Sequence, residues 1–151
     1  MSDAGDALMV YYDSPSVTAC KPSRVYPGDA GLDLEFWGAL PVDVGPGEFR
    51  DLPCGLSVDL PRGYWGLITG RSSTIRKRGL LVTQGVIDHG FQGSLFVGVW
   101  NLNNHPVRVN PGERLGQLIV LPLWAGAVQV GNPASRVVRD RAESGFGSSG
   151  S

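Results

Sequence analysis

Cysteine is scarce in this chain, charge is modest and balanced, and long apolar runs are missing, and each shortage removes a class of protein. Two cysteines, Cys20 and Cys54, are too few for a disulfide-stapled scaffold. They also lack metal-site spacing, since only His89 and His105 could join them. Both thiols are expected to be reduced and structural. The 13 Lys and Arg against 14 Asp and Glu leave a net charge of -1, with a pI near 6.1. A protein that coats duplex nucleic acid draws most of its affinity from neutralising phosphates, so that class is excluded, while a small anionic ligand stays open. The longest apolar stretch, residues 118–127, falls short of the roughly 18–20 residues that cross a bilayer, so no membrane span is expected. The acidic opening and the brief apolar run at 7–12 do not make a signal peptide. The cytoplasm is the expected compartment.

Clean helical spacing is absent too, apart from a short helix expected at 73–80. The abundant residues are 22 glycines and 11 prolines, against usual shares of about 7% and about 5%. A chain that turns this often has little room for long helices. Its 151 residues fit one domain with its own core. An all-β fold is expected.

Period-2 alternation marks the strands. Leu56, Val58 and Leu60 alternate with Ser57 and Asp59, as in a strand with one wet face. In 94–101 both alternating sets are apolar, Leu95, Val97 and Val99 on one side and Phe96, Gly98 and Trp100 on the other. The stretch 115–121 behaves similarly. Such strands should be covered on both faces, which implies that some faces meet another subunit. Two near copies, 42–48 and 107–113, end a strand in Pro-Gly, the pair suited to a type II turn. They read either as a duplicated hairpin or as reuse of a common turn. Residues 126–135 read as a small, polar linker, dividing a β-domain at 1–135 from a C-terminal arm at 136–151.

Four constellations could carry chemistry. Gln117 lies within the apolar run 115–121, where its amide must find partners in the protein or in a ligand. Gly70-Arg71-Ser72-Ser73-Thr74 follows an apolar strand and offers amides, hydroxyls and a guanidinium to an anion, or is a solvated Ser-rich turn. The neighbouring Arg76, Lys77 and Arg78 read as a solvated face. In the segment 85–93, Asp88 follows two β-branched residues and precedes Phe91, an aromatic in a Gly-rich setting. It reads as a general base holding water or as a turn-forming Asp. The tail places Phe146 between Gly145 and Gly147, with Arg141 upstream. Its G-x-G-x-x-G pattern is followed by Ser151 and by no helical pattern in the sequence, so it is not expected to receive a pyrophosphate at a helix start. A mobile arm that closes a ring over a base is one reading, and a disordered Gly/Ser tail is the other.

In this order the segments resemble the five motifs of the trimeric dUTP pyrophosphatase (dUTPase) family: 30–34, 70–73, 85–93, 112–119 and 141–150. The resemblance implies a jelly-roll-like (β-clip) subunit of a homotrimer, with a flexible C-terminal arm and each active site built from motifs of all three chains. It implies hydrolysis of dUTP to dUMP and pyrophosphate. Asp88 would be the general base for the water attacking the α-phosphorus. Phe91 would pack under the deoxyribose, and the hairpin at 80–91, with Gln84, Gly85 and Ile87, would read uracil through the main chain. Arg71, Ser72, Ser73 and Gln117 would hold the phosphate chain. Arg141 and Ser148 would meet the γ-phosphate, with Phe146 and Gly147 closing over the base. Mg²⁺ would bridge phosphate oxygens and keep its waters, with no direct protein ligand and with Asp33 in support, through water.

Several positions depart from the family pattern. Phe91 stands where tyrosine is common, Ala142 and Ser144 where glycines are usual, Gly116 where alanine is common, and Thr74-Ile75 where Leu-Ala is common. None removes a catalytic group. Two alternatives remain. A dCTP deaminase shares the fold but needs a glutamate on the strand after the hairpin, a place that falls at Gly98 here. A catalytically silent dUTPase-like nucleotide-binding or regulatory protein would be expected to lack the base or the arm, and both are present.

Overall fold

The computed structural model of the chain describes residues 6–14 and 21–137. Among these, eleven strands and one α-helix are found: β1 Met9–Tyr12, β2 Gly31–Glu35, β3 Val42–Val44, β4 Phe49–Pro53, β5 Leu56–Asp59, β6 Tyr64–Gly70, α1 Ser72–Arg78, β7 Leu80–Val82, β8 Gly85–Ile87, β9 Phe96–Asn101, β10 Val107–Val109 and β11 Arg114–Pro122. A 3₁₀ turn, Pro133–Ser135, follows. This is the β-rich architecture the glycine and proline content predicts, and the short helix starts one residue before the expected place. All sheet pairings are antiparallel. A four-stranded sheet runs β2-β11-β6-β8, a three-stranded sheet runs β4-β9-β7, and β1-β5 and β3-β10 form two-stranded ribbons.

The core is aliphatic apart from Phe36 and Cys54. Leu34, Phe36, Val44, Leu52, Leu80, Leu95, Val97, Val99, Val109, Leu115 and Leu118 are all but inaccessible. Each such Leu or Val removed from water contributes about 1.5–3 kcal/mol before the ordering cost is counted. The alternation of Leu56, Val58 and Leu60 behaves as read, with all three buried.

The near-copy turns pair with each other, since β3 and β10 share a ribbon with Asp43 opposite Arg108. Arg108 Nε and Nη2 donate to the two Asp43 oxygens at 2.9 and 3.1 Å. That hydrogen bonding holds the exposed Asp43 carboxyl below its ordinary pKa. Both turns are type II. Glu48 N donates to Gly45 O with Gly47 at φ 70°, and Glu113 N donates to Asn110 O with Gly112 at φ 86°.

The strand at 94–101 is not covered on both faces within one chain. Leu95, Val97 and Val99 are buried, but Phe96 and Trp100 are 48% and 45% exposed. Phe49 and Leu81 flank Trp100 on β4 and β7 and are about as exposed, and the Phe49 and Trp100 rings meet edge to face at 6.1 Å. The outer face of this sheet is therefore apolar and open. The expected hairpin at 80–91 also differs from its reading, because β7 pairs with β9 and β8 with β6. The two strands splay into different sheets.

Candidate active site

Residues from three of the sequence motifs converge at one end of the four-stranded sheet. In its strand register Asp33 on β2, Gln117 on β11 and Thr69 on β6 form one row. Helix α1 begins just past this row, with Arg71 as its N-cap. The Arg71 side chain makes no capping bond. Instead its Nε lies 2.8 Å from Asp33 Oδ1, and its Nη1 donates to Arg114 O at 3.3 Å. Asp33 is nearly enclosed, with a side chain 11% exposed. Its Oδ2 is buried and accepts no hydrogen bond. Arg114 Nη1 stands 3.5 Å away, a charge contact without hydrogen-bond geometry, and Arg114 Nε is 3.7 Å from Glu35 Oε1.

Gln117 finds a partner within the protein: Nε2 donates to Gly70 O at 2.9 Å. A carboxamide has two N–H donors, so one remains for a ligand. The first-turn amides of Ser72 and Ser73 have no acceptor within the helix, and both residues keep surface access. Arg71, Ser72, Ser73 and Gln117 thus lie together at this end of the sheet, a cluster rich in hydrogen-bond donors.

The cluster is fixed from behind. Thr74 is buried, and its Oγ1 donates to Leu115 O at 2.6 Å, which satisfies the hydroxyl that replaces a common leucine. Helix α1 ends at Gly79 in the left-handed region, φ 63°. A Cβ there would strike the Asn103 amide, which donates to Arg78 O at 2.8 Å and to Asn101 Oδ1 at 2.9 Å. Fully buried Asn101 in turn donates to Val44 O and His105 O, each at 2.9 Å. Arg78 departs from the solvated face expected of it. It pairs with Glu113 and also donates to Arg108 O.

Asp88 lies elsewhere. Ile87 at the end of β8 is paired with Gly66, so Asp88 follows level with Trp65, five residues before Gly70 on β6. That offset separates it from the cluster by roughly 16 Å along the strand. Between them the sheet carries Leu67, Ile119, Leu121 and Trp65, all half-buried, with the exposed Val86 opposite Leu67. Asp88 does form a turn, but with its main chain: Phe91 N donates to Asp88 O at 3.0 Å, and Gly90 takes φ 89°. Its exposed carboxylate has no hydrogen-bond or ion-pair partner among the described residues and is free to hold water.

Around it, Phe91 is half-exposed, and a Cβ on Gly93 would lie 2.6 Å from the Phe91 ring. The ring therefore lies close over Gly93. Gln84 is exposed between β7 and β8, Gly85 opens β8, and Ile87 is buried at its end. Because β8 is an edge strand, one side of its backbone carries no sheet partner. Sequence reasoning missed Gln92, whose Nε2 donates to Asp59 Oδ1 at 3.0 Å and ties this loop to β5. It also missed the contact of Arg114 with Asp33, although Arg114 lies inside the fourth motif. Arg141, Phe146, Gly147 and Ser148 lie outside the described residues.

The deaminase alternative can be weighed on this geometry. A Cβ at Gly98 would lie 2.6 Å from Thr83 Oγ1 and 2.9 Å from the Phe49 ring, so the place a deaminase gives to glutamate is filled by neighbours. For metal binding, no group of three or more His, Cys, Asp or Glu side chains suited to an ion occurs among the described residues.

The chain is similar to known proteins over most of its length. The family model described as dUTPase matches residues 18–150. A deoxyuridine 5'-triphosphate nucleotidohydrolase of Gloeobacter violaceus is 38% identical over 131 residues, covering 85% of this chain and 88% of that protein. One of Alcanivorax borkumensis is 38% identical over 133 residues, covering 85% and 87%. Among solved structures, a variant dUTPase of Staphylococcus bacteriophage 80alpha with dUpNHpp superposes with a TM-score of 0.82 at 28% identity, covering 97% of this chain and 99% of that one. A variant dUTPase from phage phi11 of S. aureus, described with a structural Mg(II) ion, gives a TM-score of 0.73 at 26% identity, covering 82% and 95%.

Proposed function

The chain belongs to the dUTPase family and is a dUTP diphosphatase; from that premise we propose that its active site is shared between copies, the Asp88 loop of one chain meeting the Asp33-Arg71-Gln117 cradle of the next. The observation that carries this reading is the separation of roughly 16 Å between Asp88 and the cradle within one chain. A base acting on the α-phosphorus must reach its water within hydrogen-bond distance of the phosphates it serves. Neither group moves readily: Arg71 is clamped to Asp33, and the Asp88 loop is tied by Gln92 to Asp59. One patch meeting a different patch is a heterologous contact, and copies joined that way complete every site only when the rotation between them closes a ring. A homotrimer meets that requirement, and the open apolar face of Phe49, Leu81, Phe96 and Trp100 supports assembly.

In that site Asp88 accepts a proton from a water whose oxygen attacks the α-phosphorus of dUTP. The bond from that phosphorus to the bridging oxygen breaks, and pyrophosphate leaves with the electron pair, giving dUMP. Arg71, Ser72, Ser73 and Gln117 hold the phosphate chain in line, as charged and neutral donors to anionic oxygens. The open edge of β8, from Gly85 to Ile87 and with Gln84 before it, reads uracil through main-chain groups. Cytosine presents the reverse donor pattern and is disfavoured. Phe91 lies under the deoxyribose, where a ribose 2′-hydroxyl would lose its hydrogen-bond partner against the ring. Arg141 and Ser148 meet the γ-phosphate, and Phe146 and Gly147 close over the base, as parts of an arm at 136–151 that follows a β-domain at 1–135.

The cofactor is Mg²⁺, which supplies charge neutralisation on the triphosphate when bound. With no cluster of metal-ligating side chains among the described residues, the ion would be held by substrate oxygens and water. Asp33, whose buried Oδ2 accepts no hydrogen bond, would support the ion through a metal-bound water. The compartment is the cytoplasm, a reading supported by the free, buried Cys54. Among the described residues no helix is long and apolar enough to cross a membrane.

The test is pyrophosphate release from dUTP with Mg²⁺. Asp88→Asn is expected to lower kcat by about 10²–10⁴-fold while leaving KM near the parent value. Equal turnover in the variant would remove Asp88 from the chemistry.

A further inference from the structure

We propose that Gly31 is a positioning residue for phosphate binding, whose missing side chain makes the seat of the Gln117 carboxamide. The inference rests on the reading that Gln117 holds the phosphate chain. Glycine inside a strand weakens it, so its presence at the start of β2 calls for a reason. Backbone conformation is not that reason, since Gly31 is not among the glycines with positive φ. Space is. A Cβ at Gly31 would lie 2.7 Å from Gln117 Cδ and 3.0 Å from Gln117 Cβ, and would overlap Oε1 outright. Both flanks of the amide are then defined, with Oε1 against the bare Cα of Gly31 and Nε2 on the Gly70 carbonyl.

The arrangement also sets which end of the amide a phosphate meets. Gly70 O can only accept, so Nε2 must face it, and the second N–H of the same nitrogen is the group left for an anion. A methyl at position 31 would push the carboxamide out of this seat and turn its donor away from the phosphates. Asp33, two residues on along β2, fixes Arg71, so one strand orients the two longest side chains of the cradle.

Steady-state kinetics on dUTP and thermal midpoints would be measured for the parent, Gly31→Ala, Gln117→Ala and the double variant. Either single change is expected to raise KM roughly ten- to hundredfold, as for loss of a hydrogen bond to a charged group, with a smaller change in kcat. The double variant should be no worse in KM than either single. Gly31→Ala should lower the thermal midpoint, and adding Gln117→Ala should recover part of it, because only the contact with Gln117 Cβ at 3.0 Å then remains. An unchanged KM in Gly31→Ala, effects that multiply in the double variant, or a double variant no more stable than Gly31→Ala would each overturn the proposal. An unchanged KM in Gln117→Ala would overturn the phosphate reading itself, and this inference with it.

Discussion

Gly116 shows how a single departure from a family pattern is absorbed by a neighbour. A Cβ there would lie 2.9 and 3.2 Å from the two methyls of Val97 and 3.3 Å from the Thr69 carbonyl. Val97 is itself buried in the core, and its branched side chain cannot swing away. Gly116→Ala is therefore expected to lower stability by about 1–3 kcal/mol, the usual range for overpacking. Val97→Ala alone should also destabilise, by opening a cavity. The two together should cost less than their sum, a coupling that denaturant unfolding of the four proteins would read. Strict additivity would mean that the two residues do not share this space. Cys54 answers to its surroundings in the same local way. Burial, with a lesser push from the Asp13 charge, raises its thiol to about 12, so it stays protonated and unreactive at neutral pH.

At the scale of elements, helix α1 is held at both ends by contacts from distant parts of the chain. Its start is clamped through Arg71 to Asp33, and its last turn through Arg78 to Glu113 on the β10-β11 turn. Burial pushes the Glu113 carboxyl up, but the Arg78 guanidinium and the donors of Asn110 outweigh it, so its pKa lies below the usual 4.5. A carboxylate depressed in the folded state contributes fully above its unfolded pKa, and the contribution is lost as pH falls through the depressed value. Glu113→Gln is therefore expected to cost about 1 kcal/mol at neutral pH. Its deficit against the parent should shrink as pH drops below 4.5. A deficit that stays constant across that window would show that charge is not what Glu113 supplies.

The same elements show which features a sequence displays and which it hides. Alternation at Leu56, Val58 and Leu60, the Pro-Gly turns after β3 and β10, and the helix after Gly70 are local patterns, and local physics sets them. The clustering of Asp33, Arg71, Ser72, Ser73 and Gln117 was legible through the motifs that carry them. The Arg78–Glu113 pair joins residues 35 apart, and the splaying of β7 from β8 depends on which distant strands each one finds. Such pairings are fixed by register and packing across sheets, which adjacent residues do not report.

As a whole molecule, the chain places Asp88 and the Asp33-Arg71-Gln117 cluster on one sheet but roughly 16 Å apart along the strand. It leaves apolar surface between them at Leu67, Val86 and Ile119, and a further open row at Phe49, Leu81 and Trp100. A single copy thus exposes apolar surface that a neighbour would cover while it completes the site. Shared chemistry of this kind makes two inactive proteins able to rescue one another. Asp88→Asn keeps an intact cradle and Arg71→Ala keeps an intact base, and each alone should release little pyrophosphate from dUTP. Unfolded together and refolded as an equal mixture, they should regain about a quarter of the parent rate, the chance that a site draws its base from Arg71→Ala and its cradle from Asp88→Asn. A mixture that stays as inactive as its components, while forming mixed oligomers, would mean that Asp88 and Arg71 serve the same site from the same chain, and would contradict the account.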